Sequence, residues 1–287
     1  MLRSMYSGVS GLRTHQQMMD VTGNNIANVS TTGFKSSATV FQDTLSQTIQ
    51  GASAPTTTVP PFGGTNPAQI GLGVRLGGIS TNMAQGSSQL TGRATDIAVQ
   101  GDGHFVIMNG NEKLFTRAGS FSMDATGQLT TPAGGLVQGV AVPPNATATP
   151  PFAGVTAGTI TIPVDGTIDS FTIAPNGQVI GAKPDGTSVV LGQIELATFA
   201  NPAGLTKVGG SLLRATVNSG QPIPGTKPGV PGEDGRGLMA VGVLEMSNVD
   251  LAQEFTNLIV AQRGLQANSR IITSSDDVLQ ELVNLKR

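Results

Sequence analysis

Residues 2–28 read LRSMYSGVSGLRTHQQMMDVTGNNIAN, and residues 244–287 read LEMSNVDLAQEFTNLIVAQRGLQANSRIITSSDDVLQELVNLKR. In the first stretch Leu2, Met5, Val9, Leu12, Gln16, Met19, Gly23 and Ile26 recur at alternating steps of three and four, and six of these eight are apolar. Toward the other end Leu244, Leu251, Leu258, Leu265, Ile272 and Leu279 fall seven residues apart. A heptad spacing makes a narrow apolar seam, the pattern of a coiled coil rather than the wider stripe of a globular helix. A lone helix cannot bury such a seam. The spacing therefore predicts that the two ends pair with each other or pack against other copies, which points to assembly. Gln16 and Gly23 interrupt the first seam; glutamine can fix register and glycine allows close approach of helices. Six leucine-sized side chains on the second would contribute on the order of 10 kcal/mol before entropic costs.

The first helix is expected over about residues 2–28, with Asn24, Asn25 and Asn28 at its end and Gly33 in the turn beyond. These asparagines can serve as local caps or as amide contacts to neighbouring chains. The last helix is expected to begin near Ser247, with Asp250 at capping-box spacing, and to close on Lys286 and Arg287. On it Gln262, Arg263 and Asn268 admit the same two readings, solvated surface or contact to a neighbour.

Between the helices the punctuation changes. Residues 36–50 keep a weaker helical or extended pattern. Residues 51–69 carry no charge and are rich in Gly, Ala, Ser, Thr and Pro, so 36–69 reads as an extended connector. From about 70 to 243, Asn-Gly or Asp-Gly pairs stand at 102–103, 109–110, 165–166, 176–177, 185–186 and 234–235. Such pairs supply the positive φ of tight hairpins. Short β-rich runs lie between them, at 97–99, 105–107, 159–162, 171–173 and 193–196, with Pro/Gly-rich loops at 141–158 and 218–237. The fold class is α+β: paired N- and C-terminal coiled-coil helices (1–35 and 244–287) bracketing an antiparallel all-β domain (70–243).

Composition narrows the function. Only 12% of residues are charged and the net charge is −2, so no basic patch is available for nucleic acid. The absence of cysteine excludes disulfides and thiolate metal sites. No apolar run is long enough for membrane insertion. The first six residues lack the apolar stretch of a cleaved secretory signal. The two histidines, His15 and His104, are far apart; Asp102 and His104 could share a metal, but two ligands are too few. Nothing in the local sequence supports a catalytic triad, and Gly71, Gly73 and Gly77 miss the dinucleotide spacing. The expectation is no enzyme, no cofactor and no metal. A secreted carbohydrate-binding or hydrolytic β-protein would need exposed aromatics or paired carboxylates, and the chain has no Trp and one Tyr.

Several ordered motifs carry a resemblance. Asn24-Asn25-Ile26-Ala27-Asn28 followed by Thr32-Gly33-Phe34-Lys35 resembles the signature of bacterial flagellar rod and hook proteins. So do Thr91-Gly92-Arg93-Ala94-Thr95-Asp96-Ile97-Ala98-Val99, Thr116-Arg117-Ala118-Gly119-Ser120-Phe121 and Phe199-Ala200-Asn201-Pro202-Ala203-Gly204-Leu205. Ser247-Asn248-Val249-Asp250-Leu251, Ala261-Gln262-Arg263-Gly264, Ala267-Asn268-Ser269 and Leu282-Val283-Asn284-Leu285-Lys286-Arg287 look most like the hook subgroup, as does Asn66-Pro67-Ala68-Gln69-Ile70-Gly71-Leu72-Gly73-Val74. His104 and Leu265 depart from the family by standing where aromatics are common. The resemblance implies a hook subunit, a flexible tubular joint between rod and filament, with distal rod subunit as the alternative. It implies a homopolymer whose self-assembly runs through the helical residues named above. It further implies distal rod, hook cap and hook–filament junction proteins as neighbours. Export would use the flagellar type III apparatus without a cleaved signal peptide, to the hook and basal body outside the cell.

Overall fold

The computed structural model describes residues 2–55, 63–141, 157–164, 166–223 and 229–285. Two helices, α1 (Leu2–Ala27) and α2 (Leu251–Asn284), bracket in sequence a run of strands whose pairings are all antiparallel. The chain divides into two compact units. Unit 1 gathers Met1–Ala27, Ser37–Thr81 and Asp250–Arg287; unit 2 gathers Asn28–Ser36 and Asn82–Val249.

Unit 2 is built on a sheet of twelve strands among the described residues. At its centre His104–Asn109 pairs with Glu112–Thr116, and Leu136–Ala141 pairs with Ser188–Ile194. The run Phe105-Val106-Ile107 is apolar throughout because both faces of the strand are covered. Phe105 and Ile107 enter the main core with Phe121, Leu129, Ile160 and Leu191. Val106 turns to a second cluster with Phe115, Phe199 and Leu205. Three of the six Asn-Gly and Asp-Gly pairs form the expected hairpin turns: Gly110, Gly177 and Gly186 have φ of 63°, 79° and 75° and join paired strands. The pairs at 102–103 and 234–235 lie in connections between unpaired strands. Asp165 and most of the 141–158 loop are outside the described residues, as are residues 224–228 of the 218–237 loop.

Unit 1 holds the helices and a β-ribbon. Ser37–Asp43 pairs with Val74–Thr81, and Ser46–Gln50 with Ala68–Gly71. Within residues 36–69 the chain thus differs from the extended connector expected there. The backbone of 37–43 and 46–50 makes its ladder hydrogen bonds with 74–81 and 68–71 instead of with water. The ribbon leaves apolar side chains in solvent: Leu45 is 84% exposed and Ile49 64%.

Helix α2 starts at Leu251, four residues later than expected. Its cap is Asp250, whose side chain accepts from the backbone N–H of Ala252 and Gln253. The Ser247 hydroxyl accepts from Val249 N–H at 3.3 Å, outside the helix. Leu244 belongs to the strand Val243–Glu245, so it is not part of a helical seam. Lys286 and Arg287 lie outside the described residues.

Candidate functional site

The two helices meet inside unit 1. A methyl group added at Gly8 would lie 3.4 Å from Ile272, one at Gly11 would lie 2.8 Å from the Asn268 amide, and one at Gly264 would reach within 2.6 Å of His15. Asn25 Nδ2 donates to Glu254 Oε1 at 3.0 Å. Partners at 8 and 272, 11 and 268, 15 and 264, and 25 and 254 mean an antiparallel pair. On α2 the paired face carries Glu254, Leu258, Ala261, Leu265, Asn268, Ile272 and Leu279, at heptad spacing. Only Glu254 and Ala261 are fully buried there; Leu258, Leu265, Ile272 and Leu279 are half-buried, and Leu251 is 41% exposed.

On α1 the paired face is not the expected seam. Its contacts with α2 run through Gly8, Gly11, His15 and Asn25, while Met5, Val9, Leu12, Met19 and Ile26 are half-buried; Thr14 and Thr22 are buried as well. Gln16 is exposed, and no atom among the described residues lies within 4 Å of a methyl placed on Gly23. The physical reason is size. Glycine removes the Cβ that holds backbones apart, so the closest approach follows the small residues rather than the large ones. The Leu2 side chain is outside the described residues. Other apolar side chains of α2 point away from α1: Phe255, Ile259 and Val260 are 51%, 55% and 52% exposed.

The asparagine cluster divides by role. Asn25 is 1% exposed and binds the Ser37 backbone twice, donating to its carbonyl at 2.8 Å and accepting from its N–H at 3.1 Å. It thereby ties the end of α1, the first turn of α2 and the first strand of the ribbon. Asn28 Oδ1 accepts from the Thr31 hydroxyl at 3.1 Å, a local turn. Asn24 and Gln262 are exposed. Arg263 Nη1 donates to Gln266 Oε1 at 3.3 Å along its own helix. Asn268 donates to the Gly264 carbonyl at 2.9 Å.

Unit 2 contains a cluster that reading the sequence missed. Glu245, with a side chain 0% exposed, accepts from Lys35 Nζ at 2.6 Å and from Arg117 Nε at 2.7 Å. The two cations are 5% and 7% exposed. Lys35 also donates to the Ala84 carbonyl at 2.8 Å. Arg117 donates to the carbonyls of Val99, Gly101 and Gly103. The Asp102-Gly103 turn thus serves to aim carbonyl oxygens at a guanidinium. Burial pushes the Glu245 carboxyl up, but the Arg117 charge and the hydrogen bonds from Lys35, Arg117 and Gly86 outweigh it and hold it below the ordinary value. Burial lowers Lys35, against the pull of Glu245. Nearby, His104 is lowered to about 4 by burial and then by the charges of Arg117 and Lys35. Its ring packs edge-on against Phe199 at 5.8 Å. Lys35, Arg117 and Glu245 are far apart in sequence, Glu245 ending a strand and the two cations lying outside strands, and no local pattern reveals that they meet.

Asp102 and His104 do line one cavity, of about 290 Å³. Among the described residues no group of three or more His, Asp or Glu is placed to hold a metal ion. No described helix is long and apolar enough to cross a membrane.

Family models match three segments: residues 5–35 as "Flagella basal body rod protein", 98–181 as "Flagellar hook protein FlgE/F/G D1 domain", and 240–285 as "Flagellar basal body rod FlgEFG protein C-terminal". The chain is 48% identical to the flagellar basal-body rod protein FlgG of Bacillus subtilis, over the whole of both. It belongs to the flagellar rod and hook axial protein family. Membership makes it a structural component of the flagellum. Other family members that it resembles are FlgG of Borreliella burgdorferi, 36% identical over all of both chains, and the hook protein FlgE of that organism, 31% identical over all of both.

Proposed function

We propose that this chain is a subunit of the distal rod, polymerising with copies of itself. The supporting observation is its collinear match to FlgG relatives. It aligns with the B. subtilis rod protein over 287 residues at 48% identity, whereas the alignment to the Borreliella hook protein runs over 448 at 31%. The C-terminal motifs that favoured a hook fall in a segment whose family description names FlgE, FlgF and FlgG together. They could not separate the two, and the hook reading yields to the alternative.

Assembly rests on the surfaces that the helix pair leaves open. The half-buried Met5, Val9, Leu12, Met19 and Ile26 form an apolar stripe with heptad spacing, and Phe255, Ile259 and Val260 form an exposed apolar patch on α2. Stripes of this kind bury themselves against neighbouring helices. Gln262, Arg263 and Asn24, exposed on the same helices, supply polar contacts to those neighbours. Passage through the flagellar export apparatus belongs to the same proposal.

The test is electron microscopy of polymers grown from the purified full-length chain. Straight, stiff cylinders are the expected result. Curved, supercoiled tubes would restore the hook reading.

A further inference from the structure

Unit 2 is completed by its C-terminal end. Leu238–Val241 pairs with Ile97–Gln100, and Val243–Glu245 pairs with Ser88–Leu90. Met239, 2% exposed, joins Ile97 and Val99 in the main core. Glu245 then closes the ionic cluster. Its Oε1 accepts from Lys35, 210 residues earlier, and from Gly86 N–H at 3.0 Å, 159 residues earlier. Its Oε2 accepts from Arg117, 128 residues earlier. Asn248 does the same with neutral groups. Its Oδ1 accepts from Ser36 N–H at 2.8 Å, and its Nδ2 donates to the carbonyls of Asn82 and Ala84 at 2.9 and 3.0 Å.

Every chain is made N-terminus first. Both cations of the cluster therefore exist well before the carboxylate that neutralises them. A buried cation without its partner is strongly disfavoured, and closing loops of such length gains nothing until the contacts form. We infer that Glu245 is a closing latch: the strands around Arg117 and Lys35 cannot bury these cations until residues 238–248 dock, so unit 2 stays open until the chain is nearly complete. A chain that lacks residues 238–248 is thereby kept from presenting a finished β-unit. The latch does not depend on the choice between rod and hook.

Refolding of the full-length chain with pulsed amide exchange, read by mass spectrometry, tests it. Amides of 97–100, 104–109 and 112–116 are expected to gain protection in the same kinetic phase as those of 238–245. Protection of 104–116 in an earlier phase would overturn the latch. In full-length Glu245→Gln that shared phase should slow by about tenfold or more, and native-state exchange should quicken across all of unit 2. Faster exchange confined to residue 86 and 243–248 would also overturn it. If the variant does not fold, the order of phases in the unaltered chain decides.

Discussion

A carboxylate held between a guanidinium and an ammonium, all three buried, is more consequential when broken than when formed. Replacing such a pair with apolar residues can be neutral, but removing one partner leaves a buried charge uncompensated. Glu245→Gln should therefore destabilise unit 2 by about 3–5 kcal/mol, read from its thermal unfolding. The pH dependence follows from the direction of the shift. Glu245 titrates below its ordinary value in the folded chain, so its stabilisation is present above about pH 4.5 and lost as pH falls through the lower folded value. The Gln variant should lack that acid loss. His104 acts in a higher window. Its folded value of about 4 lies below the ordinary 6.5. Between these the unfolded chain binds a proton that the folded chain refuses. Stability is full above pH 6.5 and falls by about 3 kcal/mol on acidification to pH 4. His104→Phe, which keeps the edge contact to Phe199, should flatten that slope in denaturant titrations at pH 7, 5.5 and 4.5. Neither residue announced this role in the sequence. His104 was legible as a packing substitute for an aromatic, and Glu245 was one carboxylate among eighteen acidic residues.

At the scale of elements, the helix pair separates glycines that look alike in sequence. Gly11 faces Asn268 at a distance too short for a side chain, and Gly23 faces open space among the described residues. Gly11→Leu should push the helices apart and speed amide exchange in both α1 and α2. Gly23→Ala should stabilise α1 by up to about 1 kcal/mol, because alanine is the better helix former and nothing opposes it. A destabilised Gly23→Ala chain would contradict this register of the helix pair. Helix existence was legible; of the expected α2 seam, Leu258, Leu265, Ile272 and Leu279 are half-buried, Leu251 is 41% exposed and Leu244 lies in a strand. The α1 register was not legible. Hydrophobic periodicity marks which residues prefer to leave water, and Gly8, Gly11, Thr14 and Thr22 carry little of that signal. The ribbon of 37–50 against 68–81 was equally hidden, because its exposed strands have no buried face to impose an alternation.

For the molecule as a whole, the proposed polymerisation would draw on surface that the single chain leaves apolar. Ile259→Asp places a charge on an outer stripe that is 55% exposed. It should abolish polymer formation in sedimentation assays while leaving monomer melting within about 0.5 kcal/mol of the parent. Leu258→Asp, one residue away on the paired face, should also destabilise the monomer. Equal behaviour of the two variants would remove the distinction between inner and outer faces.

The sequence by itself determined the family, the two terminal helices, the β-rich middle and three of its hairpin turns. These follow from periodicity and from residues with special backbone freedom, both of which act over a few residues. Only the tertiary structure decided which residues of α1 meet α2, the pairing of 37–50 with 68–81 in a ribbon, and the meeting of Lys35, Arg117 and Glu245. Those outcomes depend on which distant groups share one small volume. Size, charge neutralisation and hydrogen bonding are settled there between residues more than a hundred positions apart, and no local pattern carries that information.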